Sequence, residues 1–403
     1  MNYVNARAAV QEQVRQPNRI RNNELVRDAA VGILSHFGLE GTNFNSVSIE
    51  AKLSNSVLRK RFSDIDALLV DIWKNRSVSA FIKPLNVTIM SYLLSEQDQD
   101  HQHSKQLLDS LFELNEVQCA SLEILAVTAS HDPVCDAVAK DLKALFSQSA
   151  IKSESMKAQY VFFFQIILGT LLHVRSQLVD RDLLVARLHA LLVLGITPAE
   201  IVPTPEVDAS YIHEKFVSPE QSPHAELMNA CLTCVAQNGF AATTTRMIAK
   251  EALVSEGKLF SYFPTKLDLF LDAISLQVEQ GFLVNFQHIS KWNEIYGAGV
   301  SAAILFREYQ RPDLDLERAL QIEYLRLSWH RPDMFDRRLK HVHKALIDLG
   351  VEKVDEIGPE QDVDLVLAVS GSMGAMIVAR LDREAFKLPY VVVTQKIYSK
   401  QPE

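Results

Sequence analysis

The chain has 403 residues, 48% of them hydrophobic and 23% charged, with 14 glycines and 14 prolines. That composition excludes a mainly disordered, collagen-like or disulfide-built chain, and at roughly 100–200 residues per domain the length implies about two to four domains. A net charge of −9 excludes a protein that coats nucleic acid through a generally basic surface, yet allows a reader whose cations are gathered on one small face.

The N-terminus lacks an apolar stretch of the signal-peptide kind. The longest nearly apolar run, Val161 to Leu172, contains Gln165 and is shorter than the ~20 residues that span a bilayer. Four cysteines without framework spacing suit a reducing compartment, so the expected location is the cytoplasm, with no membrane partner. The first segment carries Arg7, Arg15, Arg19 and Arg21, and reads either as an arm for the DNA minor groove or as a basic tail. Apolar residues then recur at helical spacing, as at Val26, Ala29, Ile33 and Phe37. This predicts a helix over about 22–37, closed by a left-handed cap at Gly38. A second helix follows from Asn45 to Ala51, then a tight turn into Ser54, a natural N-cap. A short third helix runs to Phe62 and a fourth begins near Asp64. Helical spacing continues almost throughout, so the fold class is all-α; the best strand candidate, Tyr390 to Thr394, reads equally as a short helix. Pro198, Pro203, Pro205, Pro219 and Pro223 break the helical pattern near the midpoint and mark 197–221 as an interdomain linker.

A shift of 201 residues places 25–72 on 226–273 without a gap. Ten of the 48 positions are identical: Ala29/Ala230, Gly38/Gly239, Thr42/Thr243, Glu50/Glu251, Ala51/Ala252, Ser54/Ser255, Leu58/Leu259, Phe62/Phe263, Leu68/Leu269 and Asp71/Asp272. They fall at caps, turns and core positions. Each copy reads as a helix-turn-helix braced by longer helices, an arrangement that presents its third helix to a major groove.

In the second copy, Gly239-Phe240, Ile248-Ala249, Val254-Ser255, Gly257 to Phe263 and Thr265-Lys266 resemble the head of TetR-family transcriptional regulators. Leu253 stands where the family has a glycine, and Phe260 where it has a tyrosine. The first copy departs further, with Arg59 and Arg61 at the aromatic positions and Ile65 in place of the lysine. The resemblance covers about 50 residues in each half. It implies two TetR-like units: a first head over 1–75, a helical ligand-binding and dimerisation domain over 76–196, the linker, a second head over 222–275, and a second helical domain over 276–403. Fused in one chain, the halves are expected to form an intramolecular pseudo-dimer, with further homodimerisation open. The implied partners are a double-stranded DNA operator and a small apolar ligand that controls binding, with repression as the expected outcome. No cofactor, metal or catalytic group is expected. The competing expectation is a protein- or ligand-binding module whose heads, the first above all, have lost DNA binding.

Arg and Lys on such helices reach phosphates and base edges. The expected DNA-binding residues are Arg246, Lys258, Tyr262, Thr265 and Lys266 in the second head, and Asn55, Arg59, Lys60 and Arg61 in the first. Asp64 and Asp66 oppose a phosphate at the fourth helix of the first head, although carboxylates are also ordinary at a helix N-terminus. Cys231 and Cys234 lie on the apolar stripe of their helix and read as core; His101-Gln102-His103 reads as a surface loop. Ser370-Gly371-Ser372-Met373-Gly374 lacks the first glycine of a nucleophile elbow and reads as a helix-packing face. Trp292, Tyr296, Phe306, Tyr309, Tyr324 and Trp329 are core candidates, several of which together can line an apolar pocket.

Overall fold

The computed structural model describes residues 3–95, 98–176, 180–197, 202–207, 222–331 and 359–398, with 334 and 347. Among them every regular element is helical. The chain divides into two compact units, Met1–Ile82 with Leu114–Ile124, and Lys83–Glu113 with Leu125–Glu403.

In the first unit α1 spans Tyr3–Gly41, so the basic segment expected as an arm is helical and continuous with the first helix. The chain turns at Gly38 with φ 65° and ψ −167°. That is an extended conformation of positive φ, open essentially to glycine alone, and not the left-handed helical cap that the sequence suggests. Gly239 repeats it, with φ 74° and ψ 161°. Next, α2 (Phe44–Glu50) is opened by a reciprocal capping box between Asn43 and Ser46. The short α3 (Asn55–Arg59) is followed by α4 (Ile65–Ile72), whose N-cap is Asp64. The chain then continues in a wider π-helical winding over Trp73–Ile82. Val26, Ala30, Leu34, Val47, Leu58, Phe62 and Leu68 converge as the core of this head.

The second unit contains α5 (Lys83–Leu93), α6 (Asp98–Leu111), the end of α7 (Glu116–Val127), α8 (Asp132–Phe146), α9 (Glu154–Val174) and α10 (Arg181–Gly195). It also holds the second head, α11 (Pro223–Ala242), α12 (Thr245–Glu251), α13 (Glu256–Tyr262) and α14 (Lys266–Tyr296), and then α15 (Ala298–Tyr309), α16 (Asp315–Ser328), α17 (Pro359–Leu381) and α18 (Val391–Tyr398). His101 to His103 lie within α6, a correction to the expected loop: Ser104, Leu108 and Leu111 give that polar stretch a buried helical stripe. Residues 391–394 are helical too. Of the linker, 202–207 are described; Val207 packs beside Trp292, Ile304 and Leu314, and the Arg307 guanidinium donates to the Thr204 carbonyl at 3.1 Å.

The centre of this unit is the pairing of α9 with α17. Every residue of α9 from Ala158 to Val174 is buried. It is long and apolar enough to cross a membrane, but 83% of its apolar window is inside the fold, as a core helix requires. The close approach depends on two glycines. A Cβ on Gly169 would overlap the Ser370 carbonyl, and one on Gly374 would overlap the Gln165 carbonyl. Gly374 follows Gly169 by 205 residues, and Ser370 follows Gln165 by the same interval. Each glycine thus faces the residue four places before the other, the reciprocity of a two-fold contact. The small-residue run around Ser370 is accordingly a packing face.

Candidate nucleic-acid interface

In the second head, α12 and α13 meet at a turn in which the Val254 N–H donates to the Ala249 carbonyl and the Leu253 N–H to the Lys250 carbonyl. This is a Schellman closure, whose penultimate position takes positive φ and favours glycine. Leu253 occupies it with φ 56° and is 93% exposed. The first head builds the same turn, with bonds from Leu53 to Ser48 and from Lys52 to Ile49, and Lys52 at φ 55°. Neither head uses glycine where the backbone asks for it.

The turn leads into α13, capped by the Ser255 hydroxyl, which accepts from the Lys258 N–H. Leu259 alone is buried on this helix; Lys258, Phe260 and Tyr262 are exposed, with the Lys258 ammonium 4.9 Å above the Tyr262 ring. Arg246 on α12 is exposed as well. Arg246, Lys258 and Tyr262 therefore all stand on the solvent side of the two crossed helices. Thr265 caps α14, accepting from the Asp268 N–H while its hydroxyl donates to the Asp268 carboxylate at 2.7 Å. Lys266 turns inward. Its ammonium donates to the carbonyls of Phe240 at 2.6 Å and Thr243 at 2.7 Å and lies 4.1 Å over the Phe240 ring. It ties the start of α14 to the end of α11.

The first head sorts its cations differently. Arg59, steadied by Asn55 Oδ1 at 3.2 Å, and Lys60 are exposed on and just after α3. Arg61 is drawn back, its guanidinium 3.7 Å from Asp71 and 4.9 Å over the Phe62 ring. At the start of α4 the Asp64 carboxylate accepts from the Ala67 N–H at 2.9 Å and from the Ser63 hydroxyl at 2.7 Å. These bonds, the backbone one foremost, hold its carboxyl below the usual range. The helix terminus is thus filled by the chain's own anion. Arg21 is exposed; the side chains of Arg7, Arg15 and Arg19 lie outside the described residues.

A pair of residues that motif matching misses fastens each Gly turn. The Glu123 carboxylate on α7 accepts from the Leu39 N–H at 2.8 Å, and that of Glu323 on α16 accepts from the Phe240 N–H at 2.6 Å. Their spacing of 200 residues is one short of the repeat, and Leu125/Leu325 beside them has the same spacing. Glu323 is also gripped by fully buried Arg326, from Nε at 2.7 Å and Nη2 at 3.0 Å. Cys231 and Cys234 are buried in the head core, as expected; burial pushes the Cys231 thiol up to about 12. Trp292, Phe306 and Tyr324 are buried, and Tyr296 is exposed. No cluster of metal-ligating side chains occurs among the described residues.

No curated protein matches the chain. Residues 227–273, which run from α11 across the turn into α14, match the family of bacterial regulatory proteins named for tetR. The second head is thus similar to the helix-turn-helix domain of that family over these residues.

Proposed function

We propose that the chain is a sequence-specific transcriptional regulator, most simply a repressor in the cytoplasm, that acts by binding and not by catalysis. The observation that carries this reading is the coincidence of the family match with the solvent-facing Arg246, Lys258 and Tyr262 around α13. The reciprocal Gly169 and Gly374 contact supports a tandem architecture in which two like halves pair as an intramolecular pseudo-dimer. A small apolar ligand of the helical domains sets operator affinity; moving the protein from mostly bound to mostly free takes several kcal/mol of differential affinity. The first head contributes less to DNA binding, because Arg61 faces Asp71 and Asp64 occupies the α4 terminus.

Fluorescence anisotropy of the full chain on duplexes from upstream of its own coding region, and on duplexes selected from a random pool, tests the proposal. Arg246→Ala with Lys258→Ala should lower affinity on every duplex and flatten the dependence of log K on log salt by about two, one for each phosphate contact. The operator should have unlike half-sites and hold one chain, since α3 and α13 share few exposed residues. Failure to bind any duplex would favour the second reading, a ligand- or protein-binding module on the same fold.

A further inference from the structure

The chain leaves the first head in a form that the second head lacks. Trp73–Ile82 winds as a π-helix for ten residues, whereas such winding mostly occupies a single turn inside an α-helix. The positions 201 residues on, 274–283, lie within the α-helix Lys266–Tyr296. Trp73, Ser77, Phe81 and Ile82 are the buried residues of the π segment, and no partner reaches the Ser77 hydroxyl. Buried hydroxyls in the α-helices of this chain bond to the carbonyl four residues back, as Thr88 does to Pro84, Thr170 to Ile166 and Ser370 to Val366. An α winding offers Ser77 the Trp73 carbonyl in the same way.

Two side chains favour the wider form. Asn75 Nδ2 donates at 2.8 Å to the Asp71 carbonyl, the acceptor that the Asn75 N–H takes in an α-helix, and a side chain inserted there opens the ladder. Arg76 reaches back to α1, donating to Glu24 at 2.5 Å and to Asp28 at 2.7 Å. Glu24 is shared with Arg27, at 2.6 Å. In the second half Leu276, Gln277, Ala225 and Asn229 stand at the positions of Asn75, Arg76, Glu24 and Asp28, so neither the amide cap nor the ion pairs can form. The Glu24 and Asp28 side chains are 42% and 66% exposed, and ion pairs so exposed are individually weak. A weak clamp thus opposes a buried hydroxyl left without its bond, the balance that a two-state element needs. We infer that Trp73–Ile82 is a winding switch: π while Asn75 caps Asp71 and Arg76 holds α1, and α once these contacts are released. Rewound with α bonds, the same residues turn further about the axis and redirect the chain beyond Ile82.

A metal staple reads the winding without DNA, independently of the regulatory function. Lys74 and Ser79 are both exposed. Being five apart, they are stacked by π bonding, whereas an α-helix sets them about 140° apart around its axis. The full chain carrying Lys74→His with Ser79→His should bind Ni²⁺ at least tenfold more tightly, by calorimetry, than either single histidine variant. Adding Asn75→Leu with Arg76→Gln, the residues of the second half, should return the affinity to that of the single variants. Thermal melts verify folding, and Arg76→Gln alone, expected to give a smaller loss of the same sign, keeps the test standing if the combined variant unfolds. A histidine pair that binds no more tightly than its single members, or one whose affinity is unaltered by the Asn75 and Arg76 substitutions, would overturn the inference.

Discussion

In the second head three tethers converge on the Gly239 turn: Glu323 holds the Phe240 N–H, Arg326 holds Glu323 from behind, and the Lys266 ammonium holds the Phe240 and Thr243 carbonyls. In the first head Glu123 makes the first of these bonds, while Ala126 and Ile65 occupy the positions of Arg326 and Lys266. Yet both heads adopt the same backbone, down to positive φ at Gly38 and Gly239 and at Lys52 and Leu253. The helix-turn-helix shape therefore does not require the Arg326 and Lys266 contacts. The charged fastenings differ between the two heads while the turns keep one conformation.

The largest expected effect separates the two glutamates. Glu323→Ala removes the carboxylate that two Arg326 nitrogens donate to, in a side chain with no exposed surface; breaking a buried pair from one side costs about 3–5 kcal/mol. Glu123→Ala, with Ala126 at the arginine position, should cost about 1–3 kcal/mol, the range for a buried group deprived of its partner. Urea denaturation of the two variants measures both, and equal losses would erase the distinction. Lys266→Ala comes next. It deprives two carbonyls of a charged donor, and about 1–3 kcal/mol of stability should go with it. Its salt dependence on DNA should be nearly that of the wild type, in contrast to Lys258→Ala, because the ammonium is directed into the fold. The smallest effect should be equal in the two heads. Leu253→Gly and Lys52→Gly each relieve a left-handed residue and should stabilise by about 1 kcal/mol; a gain in one head only would show that the turns differ in strain.

Features set by near neighbours were legible in the sequence. Asp64 and Ser255 accept the cap bonds that their positions promise, and Cys231 and Cys234 lie in the core as their stripe requires. Ser54 has the cap position but bonds to the Ser56 hydroxyl instead, a competition between two local partners that spacing does not resolve. Remote partners were not legible. Lys266 looks like a phosphate contact until the folded chain brings the Phe240 carbonyl beside it, and Glu323 gains its role only when α16 reaches a turn 83 residues earlier. The loop assigned to His101–His103 failed because polar composition concealed a narrow stripe of one residue per turn, Ser104, Leu108 and Leu111. Arg61 resembles Arg59 in sequence and parts from it only because Asp71 comes within reach on α4.

The reciprocal seat of Gly169 and Gly374 has a bearing on how such a chain can change over generations. In an assembly of two identical subunits, every mutation at the central axis arrives in duplicate, and both copies must tolerate it at once. Within one chain a change falls on one side alone. The two sides of this seam differ: the Ser370 hydroxyl lies 3.2 Å from His173 Nδ1, whereas Gln165 and Val378, 205 residues from each, cannot form that bond. Backbone overlap permits no side chain at either glycine, while the residues around them can differ from one side to the other.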